Sequence, residues 1–232
     1  MSDSTSANRY QLAELGALLA EPARAAMLLA LADGSARPAG ELAHAAGVGA
    51  ATASAHLKRL LEGGLLAVHV QGRHRYYRLA SDEVAALLEA MALPRTAKSM
   101  PHATGSDLAL RRARSCYRHM AGELGVALCD ALLGRGYLHT ESVGLRLSPQ
   151  GAEAFMQAGL EQAPAVKLLG LSGRSCLDWS ERRLHVGGPL GVAMMTAMLD
   201  AGWLRRAASG RVLVPSADGL RRLSGLGVRI ES

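Results

Sequence analysis

The chain has 232 residues and a formal net charge of +6, with 26 Lys and Arg against 20 Asp and Glu. At roughly 100–200 residues per domain, that length makes one large domain or two small ones. Its longest unbroken apolar run, residues 25–32, is eight residues, far below the roughly 18–20 that span a bilayer, so a membrane protein is excluded.

Aromatic content is 3% against 49% hydrophobic, so the core must be packed with Leu, Ala, Val and Met, a composition suited to helix–helix contacts. The first eight residues are polar and lack the apolar core of a secretory signal. Three cysteines are too few and too odd for a disulfide framework, which points to a reducing, cytoplasmic setting.

Leu12, Leu15, Leu18 and Leu19 predict a helix over 11–20. Pro22, a good first-turn residue, opens a second through Met27, Leu28, Leu29 and Leu31, which Asp33-Gly34 breaks. A short third helix holds Glu41-Leu42-Ala43-His44 and stops at Gly47. Residues 49–61 form a fourth, with Val48, Ala53, Leu57, Leu60 and Leu61 as its apolar stripe. Short helix, turn and longer helix make a helix-turn-helix. After Gly63-Gly64, residues 65–70 and 75–79 read as two strands joined across Gly72, a hairpin turn residue. The turn carries Arg73, His74 and Arg75, so the hairpin is a charged wing, and a helix over Asp82–Met91 closes the unit. Basic residues concentrate here: Lys58, Arg59, Arg73, Arg75 and Arg78 face Glu62 alone between 49 and 80, a local excess suited to a polyanion.

Glu21-Pro22-Ala23-Arg24, Glu41-Leu42-Ala43, the stretch from Thr52 to Leu60, Gly64-Leu65-Leu66 and the stretch from Gly72 to Leu79 resemble, in order and spacing, the ArsR/SmtB winged-helix regulators. The resemblance spans about 11–91. It implies a cytoplasmic homodimer on a double-stranded DNA operator, a repressor whose fourth helix enters the major groove and whose effector weakens binding. On that basis Ala50, Thr52, Ser54, His56, Lys58 and Arg59 of the helix and Arg73, His74 and Arg75 of the wing are the expected DNA contacts. Thr52, Ser54 and His56 suit base edges; Lys58 and Arg59 suit phosphates. The family's usual metal positions are incomplete: 41–44 has no cysteine, and Asp82–Met91 has no histidine. Sensing must lie elsewhere.

Residues 94–107, with two prolines and no apolar periodicity, read as a linker. Beyond it, 119–138 aligns without gaps on 185–204, with ten of twenty positions identical. At the same offset Gly144 meets Gly210, Leu147 meets Leu213 and Pro149 meets Pro215. Two copies are too few for a solenoid, so a pseudo-symmetric pair is expected, over about 116–160 and 176–227. Each copy reads as apolar helix, Gly-Tyr/Trp-Leu exit, hairpin and helix. The fold class expected is mainly α (α+β): a winged helix-turn-helix domain over 9–93, then a pseudo-duplicated helix–hairpin, winged-helix-like domain over 108–232.

The duplication makes His119 and His185 equivalent. Cys116, three residues before His119, is expected to share a helix face with it, and Cys176 and Asp178 precede His185. Cys116, His119, Cys176, Asp178 and His185 supply thiolate, imidazole and carboxylate, ligands suited to zinc or a similar divalent metal ion. Buried cysteine packed as a small hydrophobe, or a thiol-reactive or organic signal, are the other readings of these residues. Cys129, aligned with Met195, reads as core. The basic run 111–118 reads as flanking-DNA contact or an anionic pocket.

Two rival functions remain at this point: an effector-independent DNA-architecture protein, and an enzyme with Cys116 as nucleophile and His119 as base. The second lacks a group to orient the base, and no phosphate loop, nucleophile elbow or His-Glu-x-x-His string appears. A regulator that is not an enzyme is the reading carried forward.

Overall fold

The computed structural model describes residues 3–91, 105–142, 144–208 and 210–230. The chain falls into two units, 1–88 and 89–232. The expected domain edge at 93 therefore lies just past the observed one. Of the expected linker, 94–104 lies outside the described residues, while 105–107 begins a helix. No described helix is long and apolar enough to cross a membrane.

The first unit runs α1 (Asp3–Leu19), α2 (Pro22–Ala30), β1 (Arg37–Pro38), α3 (Ala39–Ala46), α4 (Ala50–Glu62), β2 (Leu66–Gln71), β3 (His74–Leu79) and α5 (Asp82–Met91). Its core is aliphatic: Met27, Leu28 and Leu31 from α2 and its end, Leu42 from α3, Ala53, Leu57 and Leu60 from α4, with Leu65 and Leu79 beneath. Gly47, at φ 64°, ends α3 in the left-handed conformation, and Val48 N–H bonds back to Ala43 O at 3.1 Å. That C-terminal glycine sets the turn between α3 and α4. The sheet order is β1-β3-β2; Arg37 and Pro38 pair with Tyr77 and Tyr76. Strand β1 was absent from the sequence reading, because two residues carry no alternation to detect.

The second unit runs α6 (Gly105–Arg112), β4 (Arg114–Cys116), β5 (His119–Ala121), α7 (Gly122–Gly134), β6 (Leu138–Glu141), β7 (Gly144–Leu147), α8 (Pro149–Gln157), α9 (Gln162–Leu169), β8 (Ser172–Leu177), β9 (Leu184–Gly187), α10 (Gly188–Asp200), β10 (Leu204–Arg206), β11 (Leu213–Pro215) and α11 (Ala217–Gly225). Each copy is helix, hairpin, helix, hairpin, helix. The first hairpin of each copy, β4–β5 and β8–β9, was missed by the sequence reading.

The copies interlock. Strand β7 pairs with β8, with Leu145 opposite Gly173. Reciprocally, β4 meets the β10–β11 hairpin, where Leu213 N–H donates to Ala113 O at 3.0 Å and Ser115 N–H to Arg211 O at 2.8 Å. Helices α7 and α10 are the centre of the core, presenting Leu124, Leu128 and Leu132 and, at the equivalent positions, Leu190, Met194 and Met198. Cys129 and Met195 are both in this core, and Trp203, fully buried, stacks on Phe155 at 6.4 Å.

The gap-free register does not persist through the second hairpin. Ser148 N–H bonds Tyr137 O at 2.8 Å and its hydroxyl caps Gly151 N; Ser216 N–H bonds Trp203 O at 2.9 Å and its hydroxyl caps Gly219 N. The structural partners are thus Ser148 with Ser216 and Gly151 with Gly219, and Leu147 matches Pro215 rather than Leu213. The β10–β11 connection holds two more residues than its counterpart.

Candidate DNA-binding surface and Cys/His site

On α4 the side chains of Ala53, Leu57 and Leu60 point into the core, which turns Thr52, Ser54, Lys58 and Arg59 outward; Ala50 is exposed at the first turn. Lys58 is 76% exposed and lies 3.8 Å from Glu62. In the wing, Gly72 takes a φ of 59° in the two-residue loop between Gln71 and His74, and Arg73, His74 and Arg75 are all exposed. An open groove of about 700 Å³ lies between the two, lined by Ser54, Lys58, Arg73, His74 and Arg75 among others.

His56 differs from the other expected contacts. It is half-buried, with Nδ1 3.5 Å from Arg24 Nη1. Arg24 is itself buried, donating to Leu18 O at 2.7 Å and Ala17 O at 2.8 Å, so it ties down the end of α1. His56 therefore faces a buried guanidinium and is not among the residues that line the groove.

In the second unit Cys116 and His119 do not share a helix face. They are directly opposed in the β4–β5 hairpin, just as Cys176 opposes His185 in β8–β9. Directly opposed residues project from the same face of a two-stranded ladder, so each hairpin delivers one sulfur and one imidazole. The motif Arg-Ser-Cys begins this arrangement twice, at 114–116 and 174–176. The two hairpins bring their pairs together: the ligand atoms of Cys116, His119, Cys176 and His185 all lie within 4.8 Å of one another. His119 Nε2 is 3.1 Å from His185 Nε2, with ring centroids 5.0 Å apart. Cys116 and His185 are buried; His119 and Cys176 are half-buried. Contact with the Cys116 thiol does most to pull the Cys176 thiol far below its ordinary range; burial opposes the shift, and His119 and His185 add to it.

Asp178, expected as a ligand, is not one of these four. Its carboxylate is fully buried and accepts from Arg114 Nη2 at 3.0 Å on both oxygens, from Gly122 N–H at 2.7 Å, from Ser180 N–H and Oγ at 2.9 and 2.7 Å, and from Glu181 N–H at 3.1 Å. Burial would raise its pKa, but the Arg114 charge and these donors outweigh it and hold the group well below the usual carboxylate range. Asp178 stands behind the site, with Oδ2 3.7 Å from His185 Nδ1. That nitrogen is buried without a hydrogen-bond partner. Arg114 is fully buried too, its guanidinium 4.6 Å over the Trp179 ring. It belongs to the interior and not to the basic surface expected over 111–118.

The sequence reading also missed two glycines. A Cβ on Gly187 would stand 3.3 Å from His119 Nε2, and one on Gly191 2.1 Å from Val186 O and 3.1 Å from His119 Cβ. Both positions leave His119 its space. The signal was present, since Gly191 and Gly125 are identical across the repeat, but their contacts are not readable from spacing.

A family profile described as a helix-turn-helix domain matches residues 19–69. An uncharacterized HTH-type transcriptional regulator of Bacillus subtilis (strain 168), YdfF, is 36% identical over 204 residues, covering 87% of this chain and 90% of its own. The chain belongs to the helix-turn-helix transcriptional regulators. The HTH-type transcriptional regulator Rv0324 of Mycobacterium tuberculosis is 36% identical over 130 residues, 53% of this chain and 57% of its own. The winged helix-turn-helix regulator read over about 11–91 holds, and both of these curated relatives are named as transcriptional regulators. Among solved structures, the homodimeric winged helix-turn-helix domain Mb0332 of Mycobacterium bovis shares 36% identity over 39% of this chain and 83% of its own, with a TM-score of 0.37. NolR of Sinorhizobium fredii shares 25% over 40% and 91%, also at 0.37. At 87% of the chain, the match to YdfF extends well beyond the winged helix into the second unit.

Proposed function

We propose that this regulator is a repressor that binds double-stranded operator DNA as a homodimer, with α4 in the major groove and the β2–β3 wing on the backbone. In this reading the Cys/His group of the second unit receives the signal that changes operator affinity, whether a metal ion or a thiol-reactive species. The observation that carries the DNA half is the outward face of α4 beside an exposed Arg73-His74-Arg75 wing across one open groove. Thr52 and Ser54 offer hydroxyls to base edges; Lys58, Arg59, Arg73 and Arg75 offer charge to phosphates. Ala50 offers a methyl group alone, which makes base readout by this helix sparse. One helix-turn-helix makes few contacts, and a dimer reading half-sites about one helical turn apart doubles them. The homodimeric state of the Mycobacterium bovis domain agrees with this.

Fluorescence anisotropy on a fragment from upstream of the protein's own gene tests the reading, with the oligomeric state followed by sedimentation. The expected result is a dimer that prefers this fragment to random duplex, with affinity that changes on adding zinc, chelator or peroxide. Operator affinity indifferent to all three marks an effector-independent architectural protein instead. Equal affinity for every duplex sinks the regulator's specificity altogether.

A further inference from the structure

We propose that Cys116, His119, Cys176 and His185 bind a single zinc-class divalent ion in a closed, four-coordinate Cys2His2 centre that clasps the two repeats together. The proposal rests on the reading of this group as the regulator's signal site and names its ligand. Two thiols and two imidazoles are a donor set for a soft-to-borderline ion; hard cations such as calcium and magnesium take oxygen.

The spacing fits. Zinc–nitrogen bonds of about 2.0–2.1 Å at a tetrahedral angle place two imidazole nitrogens about 3.3 Å apart, and zinc–sulfur bonds of about 2.3 Å place two sulfurs about 3.8 Å apart. The His119 and His185 Nε2 atoms already stand at 3.1 Å. The widest separation in the group is 4.8 Å, so the largest closure required is about 1 Å, within reach of small side-chain rotations. Two thiolates neutralise a divalent ion, so the filled centre carries no net charge into a half-buried pocket. Binding releases whatever protons the ligand thiols still hold to solvent.

The surroundings are those of a ligand set. Histidines that bind metal through one nitrogen hold the other against a carboxylate or carbonyl, which fixes the tautomer. His185 turns Nε2 to the group and Nδ1, buried and unpartnered, to Asp178 at 3.7 Å. Asp178 is thus a positioning residue, and a small tilt of the ring completes its bond. Gly187 and Gly191 clear the space around His119. Since each hairpin supplies one sulfur and one nitrogen, the ion bridges β4–β5 to β8–β9, as a structural zinc does with all four positions filled by protein.

The test uses the full chain, chelator-treated and reduced, titrated with cobalt(II) as a spectroscopic stand-in. One equivalent per chain is expected to give the intense visible bands of tetrahedral cobalt with a thiolate-to-cobalt charge-transfer band, and zinc displaces it. Cys176→Ser should halve the charge-transfer intensity and weaken zinc binding at least tenfold; Cys129→Ser, a change in the α7 core, should leave the spectrum intact. Asp178→Asn should weaken zinc about 10–100-fold without altering the band positions. Should the cysteine variants fail to fold, alkylation of the unaltered chain decides: zinc should protect Cys116 and Cys176 from iodoacetamide. Absence of cobalt binding, a weak octahedral spectrum, or a spectrum unchanged in Cys116→Ser/Cys176→Ser overturns the proposal. Operator affinity measured on the same samples separates the two readings. A tetrahedral centre without effect on DNA binding removes the signal role and keeps the clasp. Operator affinity that answers to peroxide in a chain that takes no metal keeps the signal role and removes the clasp.

Discussion

Asp178→Asn, studied with chelator present, isolates the ion pair that supports the second unit. The native carboxylate divides its donors: Arg114, Ser180 twice and Glu181 on Oδ1, Arg114 and Gly122 on Oδ2. An amide NH2 on either side meets at least two N–H groups head on, and Arg114, with no exposed surface, keeps its charge without a counter-ion. Breaking a buried pair in this way costs about 3–5 kcal/mol. At about 2–4 °C per kcal/mol for a unit of this size, the melting transition should fall by about 6–20 °C. The acid side gives a second readout. Asp178's folded pKa is depressed, so its contribution is complete above the unfolded carboxylate value of about 3.9 and is lost as pH falls below that toward the folded value. The gap between the native chain and the variant should therefore be constant from pH 5 to 7 and narrow below about pH 4. Thermal unfolding followed by near-ultraviolet circular dichroism measures both. The double change Arg114→Met/Asp178→Leu removes both charges but leaves the Gly122, Ser180 and Glu181 donors without this acceptor, so it should recover only part of the stability. A single variant within about 1 kcal/mol of the native chain at pH 7 would refute the assignment of Asp178 as the hub.

On the first unit, Arg73→Ala/Arg75→Ala should lower the salt dependence of operator binding by about 0.9 in slope for each phosphate no longer neutralised, so by as much as about 3.6 for a dimer in which four phosphates are released. Anisotropy titrations across a salt series measure it, and an unchanged slope removes the wing from the interface. Gly191→Ala places a methyl 2.1 Å from a backbone carbonyl oxygen, which forces α10 off β9; a destabilisation of about 1–3 kcal/mol in denaturant unfolding is expected, and a neutral result would show that the helix moves freely. Burial pushes the Cys129 thiol up to about 11, so iodoacetamide at pH 8 should spare it in the folded chain and modify it on unfolding. Peptide mass spectrometry reads this directly, and rapid labelling of folded protein would contradict its place in the α7 core.

The winged helix was legible because its signals are local. Gly47 and Gly49 bracket the turn, Ala53, Leu57 and Leu60 mark one face of α4, and Gly72 sits in the hairpin loop. The second unit was legible only as a duplication. Cys-x-x-His has the spacing of one helical turn, and nothing within those four residues distinguishes that from a hairpin with a two-residue loop. What decides is pairing between strands far apart in sequence, such as Ala113 with Leu213, and such pairings leave no periodic trace. Asp178 shows the same limit from another side. Its spacing to His185 suits a ligand, yet Arg114, 64 positions away, claims the carboxylate. The offset of 66 that matched His119 to His185 did choose the right pair of histidines, because the alignment is gap-free from β5 through α7.

The duplication also explains how four ligands converge without a dedicated loop. A single copy, with cysteine and histidine opposed across one hairpin, offers half of a tetrahedral set. Pairing β7 with β8, and β4 with the β10–β11 hairpin, joins the two copies reciprocally, so the second half arrives from the other copy. The symmetry is then broken by length. Two residues separate Cys116 from His119, whereas eight separate Cys176 from His185, and the added segment carries Asp178, Trp179 and Ser180. Those three residues hold Arg114 of the other copy, while Arg174, the positional equivalent of Arg114, is exposed. One copy therefore supplies the support for both. His185 has the Asp178 carboxylate behind it, 3.7 Å from Nδ1, while Gly187 and Gly191 clear the space around His119, so the two imidazoles, equivalent in the repeat, are held differently.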